Sequence, residues 1–101
     1  MNFDGYEWTI SADKHGIAHE DAVNTIVNPR LFVPNFDRSR IPGKGWAHLW
    51  IGRTVDGTVN LEVMGHFEYV TKTVEVFHVM PLREKTYNRA IKTLKERTTK
   101  R

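Results

Sequence analysis

The sequence predicts an α+β fold, and three observations carry that expectation. Trp46–Val55 and Thr58–Val70 are β-rich runs joined by Asp56-Gly57, the signature of a tight hairpin. Leu82–Arg97 repeats apolar residues at helical spacing with cations between them. Before residue 46 the segments are short and punctuated by Gly16, Pro29 and Pro42, which leaves room only for small elements. The expected architecture is a small antiparallel sheet of three to four strands, packed with two N-terminal helices and a C-terminal amphipathic helix.

The elements follow in order. Tyr6–Ile10 is aromatic and β-branched and reads as the first strand. Ser11 can cap a short helix that Gly16 ends. Glu20–Val27 reads as a second helix: acids occupy its first turn, and Ala22, Val23, Ile26 and Val27 form one stripe. Asn28-Pro29 stops it. Arg30–Asn35 suits a short strand and Phe36–Gly45 a loop. After the hairpin, Thr73–Met80 is a third long strand that Pro81 closes. In the last helix Tyr87, Ala90, Ile91 and Leu94 are expected to face inward.

With Asp56 and Gly57 as a type I′ loop, Trp50 faces Val63 and His48 faces Gly65. Trp46, His48, Trp50, Leu61, Val63 and Phe67 then share an apolar face, which the C-terminal helix should cover with help from the 20–27 helix. Leu49, Ile51, Arg53, Glu62, Met64 and His66 share a mixed one. Matching Val74, Val76, His78 and Met80 to the apolar face sets Phe67 near Val76 and Gly65 near His78.

A chain of 101 residues has room for one hydrophobic core, so residues 1–101 are expected to form a single domain. Apolar residues make up 40% and charged residues 27%, the balance of a soluble globule. No apolar run is long enough to span a membrane, and the opening MNFDGYEWTI does not resemble a signal peptide. With no cysteine, disulfides, thiolate zinc sites and cysteine nucleophiles are excluded, and a cytoplasmic location is expected. From Leu82 onward eight Lys/Arg stand against two acids, whereas residues 1–81 hold seven against ten. A basic tail on a slightly acidic body points to an anionic partner, nucleic acid or an acidic protein; its plainer meaning is a solvated helix face.

Several short motifs, in sequence order, resemble those of the bacterial BrnT-like toxins, which have a RelE/ParE-like fold. They are Tyr6-Glu7-Trp8, Lys14-His15-Gly16-Ile17, Glu20-Asp21-Ala22 and Ile51-Gly52-Arg53-Thr54 followed by Asp56-Gly57. The resemblance covers roughly residues 6–90. It implies the toxin of a type II toxin–antitoxin pair: a metal-independent endoribonuclease acting on RNA. The implied partner is a small DNA-binding antitoxin, with operator DNA bound only through the complex. Where that family ends its last strand with a Ser-Ala-Arg-like segment, this chain has His78-Val79-Met80-Pro81. A catalytically inactive RelE-like module that binds a protein or nucleic acid through its basic C-terminal helix is the alternative.

Cleavage of RNA without a metal needs a base for the 2′-hydroxyl, an acid for the leaving oxygen and cations on the phosphate. Histidine suits the first two roles at neutral pH. The expected catalytic residues are His15, His78 and Arg53; the expected RNA-binding residues are Lys14, Arg83, Lys85, Arg89 and His48. In the register above His48 and His78 flank Gly65, about 9–10 Å apart across two strand spacings. Their plainer reading is a pair of half-buried histidines. Arg53 has Asn60 and Glu62 nearby for a cross-strand pair. Arg83 and Glu84 open the last helix, whose amides suit a phosphate or Glu84 itself. Trp8, Trp46 and Trp50 suit a core better than base stacking. His15 and His19 are four apart, but Gly16 interrupts the helix they would need. No metal site and no cofactor are expected, because no phosphate loop, dinucleotide fingerprint or H-E-x-x-H motif is present.

Overall fold

Among the described residues five strands, not three to four, form the sheet. The computed structural model describes residues 5–99. The strands are β1 (Gly5–Trp8), β2 (Leu31–Arg38), β3 (Trp46–Arg53), β4 (Asn60–Glu68) and β5 (Thr73–Pro81). A 3₁₀ turn (Ile10–Asp13) and helix α1 (His19–Val27) follow β1, and helix α2 (Glu84–Thr99) follows β5. Across the sheet the order is β1-β5-β4-β3-β2, with β1 parallel to β5 and the other neighbours antiparallel. The sheet is therefore mixed: everything from the 3₁₀ turn to β4 lies between β1 and β5 in the chain, ample length for a parallel return. The first expected helix is only the 3₁₀ turn. Ile, Ser and Asp are weak helix formers, and Ser11 donates its hydroxyl to the Phe77 carbonyl (2.7 Å) instead of capping. Gly16, with φ +68°, ends the segment.

The hairpin register is the expected one, with His48 opposite Gly65 and Trp50 opposite Val63. Its turn is different. Gly57 has φ +76° but Asp56 does not enter the left-handed region, so the turn is not type I′. The Gly57 N–H instead bonds the Thr54 carbonyl, and the Asp56 carboxylate accepts from the Thr58 N–H and the Thr54 and Thr58 hydroxyls. These bonds hold the Asp56 pKa down at about 2.

Between β4 and β5 the expected register is corrected. Phe67 faces Val74, Gly65 faces Val76 and His78 faces Met64. A bulge inserts Phe77 into β5, which puts His78 and Met80 on the opposite face from Val74 and Val76. Gly65 is what permits it, since a Cβ there would collide with the Glu75 carbonyl oxygen.

The helices cover opposite faces. Trp50, Leu61, Val63, Val74 and Val76 form a core with Ala12 of the 3₁₀ turn and Ala22 of α1. Val33, Phe36, Leu49, Ile51, Met64 and Phe77 form another with Ala90 of α2. The expectation that the C-terminal helix covers the Trp50 face is thus overturned. Leu49 and Ile51 make the mixed face apolar enough to need its own cover. Along α2, Thr86 and Ala90 turn inward while Tyr87 is exposed. Gly52 lets α1 lie close on β3: a Cβ there would sit 3.2 Å from Thr25 Cα. In β2 a second irregularity between Val33 and Asp37, with Asn35 at φ +50°, lets Val33 and Phe36 both face α2.

Candidate functional site

The most polar interior of the molecule lies between β4, β5 and the start of α2. Strand alternation puts Glu62 on the α2 side, where it is fully buried. Its carboxylate collects donors from three directions. His78 Nε2 lies 2.8 Å from Oε2, the Arg83 guanidinium reaches both oxygens (2.7 and 3.2 Å), and the Arg83 N–H donates to Oε1 (2.9 Å). Burial pushes the Glu62 pKa up, but hydrogen bonds from His78, Arg83 and Thr86 outweigh it and hold the group at about 2. The hydrogen bond to Glu62 in turn raises the pKa of Arg83. Glu62 also takes the place an external anion would use at the start of α2, the position for which the sequence nominated Glu84.

Above this network lies an open cleft of about 270 Å³ lined by Phe36, Asp37, Arg40, Arg83, Lys85 and Arg89, among others. Its cations differ in how far the protein has already used them. Arg83 is committed to Glu62. Arg89 bonds Asp37 (3.1 Å) and the Phe36 carbonyl (3.0 Å) and lies over the Phe36 ring. Together with Arg97, which donates to the Pro34 and Asn35 carbonyls, it fastens α2 to the irregular part of β2. Lys85 has no ion-pair contact with a carboxylate among the described residues, and Arg40 makes none either, although its charge helps to lower the Asp37 pKa. Arg40 Nη1 lies 3.4 Å from His78 Nδ1, so it stands between the imidazole and the cleft. The His78 ring thus turns Nε2 to Glu62 and Nδ1 to Arg40.

Of the residues nominated from sequence, His78, Arg83, Lys85 and Arg89 come together here. His78 is only 5% exposed. The others do not join them. Lys14 and His15 are exposed in the connection after the 3₁₀ turn, which packs on the α1 side. Arg53 is exposed at the last residue of β3, outside the cleft lining, and its carbonyl is bound by Asn24 and Thr25 of α1. The expected pair of His48 and His78 around Gly65 is overturned, because the Phe77 bulge sends His78 to the other face and β5 backbone fills the space at Gly65. His48 lies among aromatic rings, its Nδ1 accepting the Asn35 N–H, and burial followed by the nearby His66 charge lowers its pKa.

Sequence reasoning missed the roles of Glu62, Arg40, Ser39 and His66. His66 Nδ1 bonds the Trp46 carbonyl (3.1 Å) and its Nε2 meets the Ser39 hydroxyl (2.5 Å), which also accepts the Ile41 N–H. This latch fixes the β2–β3 connection that carries Arg40. A carboxylate inside the apolar run Leu61-Glu62-Val63-Met64 was the one available signal, since a buried acid demands partners. Among the described residues no three His, Asp or Glu side chains group as a metal site, and no helix is long and apolar enough to cross a membrane. Comparison with known proteins returned no match to a family model, a curated protein or a solved structure.

Proposed function

We propose that this chain is a cytoplasmic BrnT-like, RelE/ParE-type toxin component that acts on RNA, and that the cleft over Glu62 is where it holds the phosphate backbone. The observation that carries this reading is the set of four cations on one cleft, of which Arg40 and Lys85 are exposed and make no ion-pair contact with a carboxylate among the described residues. Two exposed cations beside two guanidiniums held by carboxylates suit successive phosphates of a strand. The motif resemblance supplies the RNA and a small DNA-binding antitoxin as partners, with operator DNA bound through the complex. RNA binding is the part the geometry supports best. Cleavage is a second reading, favoured by the His78 imidazole, whose Nδ1 faces Arg40 at the cleft, a place from which a ring can exchange a proton with a bound strand.

The test is binding of a short single-stranded RNA by fluorescence anisotropy across a salt series. Affinity should fall steeply with salt, and Lys85→Ala should weaken binding and reduce the slope of log K against log[salt] by about 1. Salt-independent binding, or none, would overturn the reading. For cleavage, the wild type in chelator should release products with 2′,3′-cyclic phosphate ends, and His78→Gln should abolish them while the RNA still binds. Intact RNA with the wild type removes the nuclease reading and leaves binding.

A further inference from the structure

We infer a second chemical site, separate from the cation cleft and independent of the RNA reading: Ser39 and His66 form a nucleophile–base pair that transfers the acyl group of a short-chain carboxylic ester to Ser39 and then to water. The two residues come from different elements. Ser39 follows β2 at the start of the β2–β3 connection, and His66 lies near the end of β4. The Ser39 hydroxyl stands 2.5 Å from His66 Nε2, and His66 Nδ1 stands 3.1 Å from the Trp46 carbonyl. A hydroxyl within reach of a base that a third group orients is the arrangement that activates a serine.

The proton positions follow from the partners. A carbonyl oxygen only accepts, so Nδ1 is the donor to Trp46. The charges that face the ring are Glu75 on β5, Glu68 on β4 and Lys44 on the connection, with His48 beside it on β3. His66 is 5% exposed, and burial outweighs the two carboxylates and holds its pKa below the ordinary value. The ring is therefore neutral at pH 7, and Nε2 turns its lone pair to the hydroxyl. One lone pair of the Ser39 oxygen accepts the Ile41 N–H (2.9 Å), which leaves the other for attack.

The surroundings leave room for a small substrate. Ser39 is half-buried, not sealed. Its N–H bonds the Gly45 carbonyl, and a Cβ on Gly45 or Gly43 would meet nothing within 4 Å. His66, Gly43, Lys44 and Trp46 help to line a hollow of about 560 Å³, which suits the alcohol part of an ester. In the first step Ser39 Oγ bonds to the carbonyl carbon, its proton passes to His66 Nε2, and the carbonyl electron pair moves onto oxygen. The Arg40 amide, next along the chain, makes no hydrogen bond among the described residues and is the donor for that oxyanion. When the pair returns, the bond to the alcohol oxygen breaks, and that oxygen takes the proton from His66. Water repeats the sequence on the acyl-serine, releasing a carboxylic acid and free Ser39.

The experiment uses the full chain. An alkyl fluorophosphonate should add to Ser39 in the wild type, located by peptide mass spectrometry. Hydrolysis of p-nitrophenyl acetate should fall about 100-fold or more in Ser39→Ala and in His66→Gln. The wild-type rate should rise with pH through a midpoint below the ordinary histidine value, and His66→Gln should lose that limb. Because the chain has no cysteine, Ser39→Cys introduces a single thiol that reads the base without any ester. At pH 7 iodoacetamide should alkylate it roughly 5- to 20-fold faster than glutathione, and adding His66→Gln should remove that advantage. Circular dichroism melts establish that each variant is folded. No adduct on Ser39, equal hydrolysis by wild type and Ser39→Ala, or a folded Ser39→Cys no faster than glutathione would overturn the pair and leave only a structural latch. Should the variants unfold, the wild-type adduct decides: phosphonylated Ser39 supports the site, and an unmodified one removes it.

Discussion

The two faces of the sheet are built from alternate residues of the same strands, yet they obey different rules. On the α1 side Leu61, Val63, Val74 and Val76 meet Trp50 and two alanines, a dry core. On the α2 side the intervening residues include Glu62, His66 and His78, all buried, set among Leu49, Ile51 and Phe77. The dry face draws its stability from area removed from water and tolerates changes that keep volume. The polar face depends on completeness, since each buried donor or acceptor is worth little when paired and costs much when its partner is removed. The basic cleft opens on the α2 side, where Glu62 holds Arg83 and Asp37 holds Arg89.

The largest effect should follow from breaking that network. Glu62→Ala strands the His78 and Arg83 donors, and urea denaturation should report a loss of about 3–5 kcal/mol, whereas Val63→Ala, the neighbouring position on the dry face, should cost about 2 kcal/mol. Equal losses would dissolve the distinction between the faces. A pH series sharpens it. Glu62 titrates at about 2 in the folded protein, below its ordinary value, so the stability it confers is complete above the unfolded carboxylate pKa. It is lost as pH falls from about 5 toward 2. Glu62→Gln should flatten that decline without abolishing it, because Asp56 is also held at about 2 and titrates in the same window.

Next in size is Gly65→Ala. The bulge that divides the faces places the Glu75 carbonyl where the new methyl must go, so a loss of about 1–3 kcal/mol is expected in thermal unfolding. Gly52→Ala, which meets Thr25 at 3.2 Å, should cost less. The smallest is Ser39→Ala, at about 1 kcal/mol, read best as faster amide exchange across residues 39–45. Unchanged exchange there would show that the latch does not hold the β2–β3 connection.

Much of the fold was legible because it is local. The Asp56-Gly57 hairpin and the pairing of Trp50 with Val63 follow from alternation and a turn signal. The helix after residue 82 follows from its period, although Tyr87 turned outward when Thr86 and Ala90 took the inner face. Less of the candidate site could be read. Arg83, Lys85 and Arg89 were nominated as basic residues of one helix and do line one cleft. Arg40 was hidden in a stretch read as a loop, and Glu62 was read, with Asn60, as a neighbour of Arg53 for a cross-strand pair when it binds His78 and Arg83 instead.

By itself, then, the sequence determined what depends on neighbours in the chain: strand and helix periods, the hairpin register, the absence of thiol chemistry and the charge of the last helix. The tertiary structure alone decided the faces. One inserted residue at Phe77 reverses every later side chain on β5, and nothing in the local pattern marks it, because what makes room for it is Gly65 on the neighbouring strand. That reversal parts His78 from His48, delivers it to Glu62, and sets the place where the basic groups of α2 and the β2–β3 connection meet.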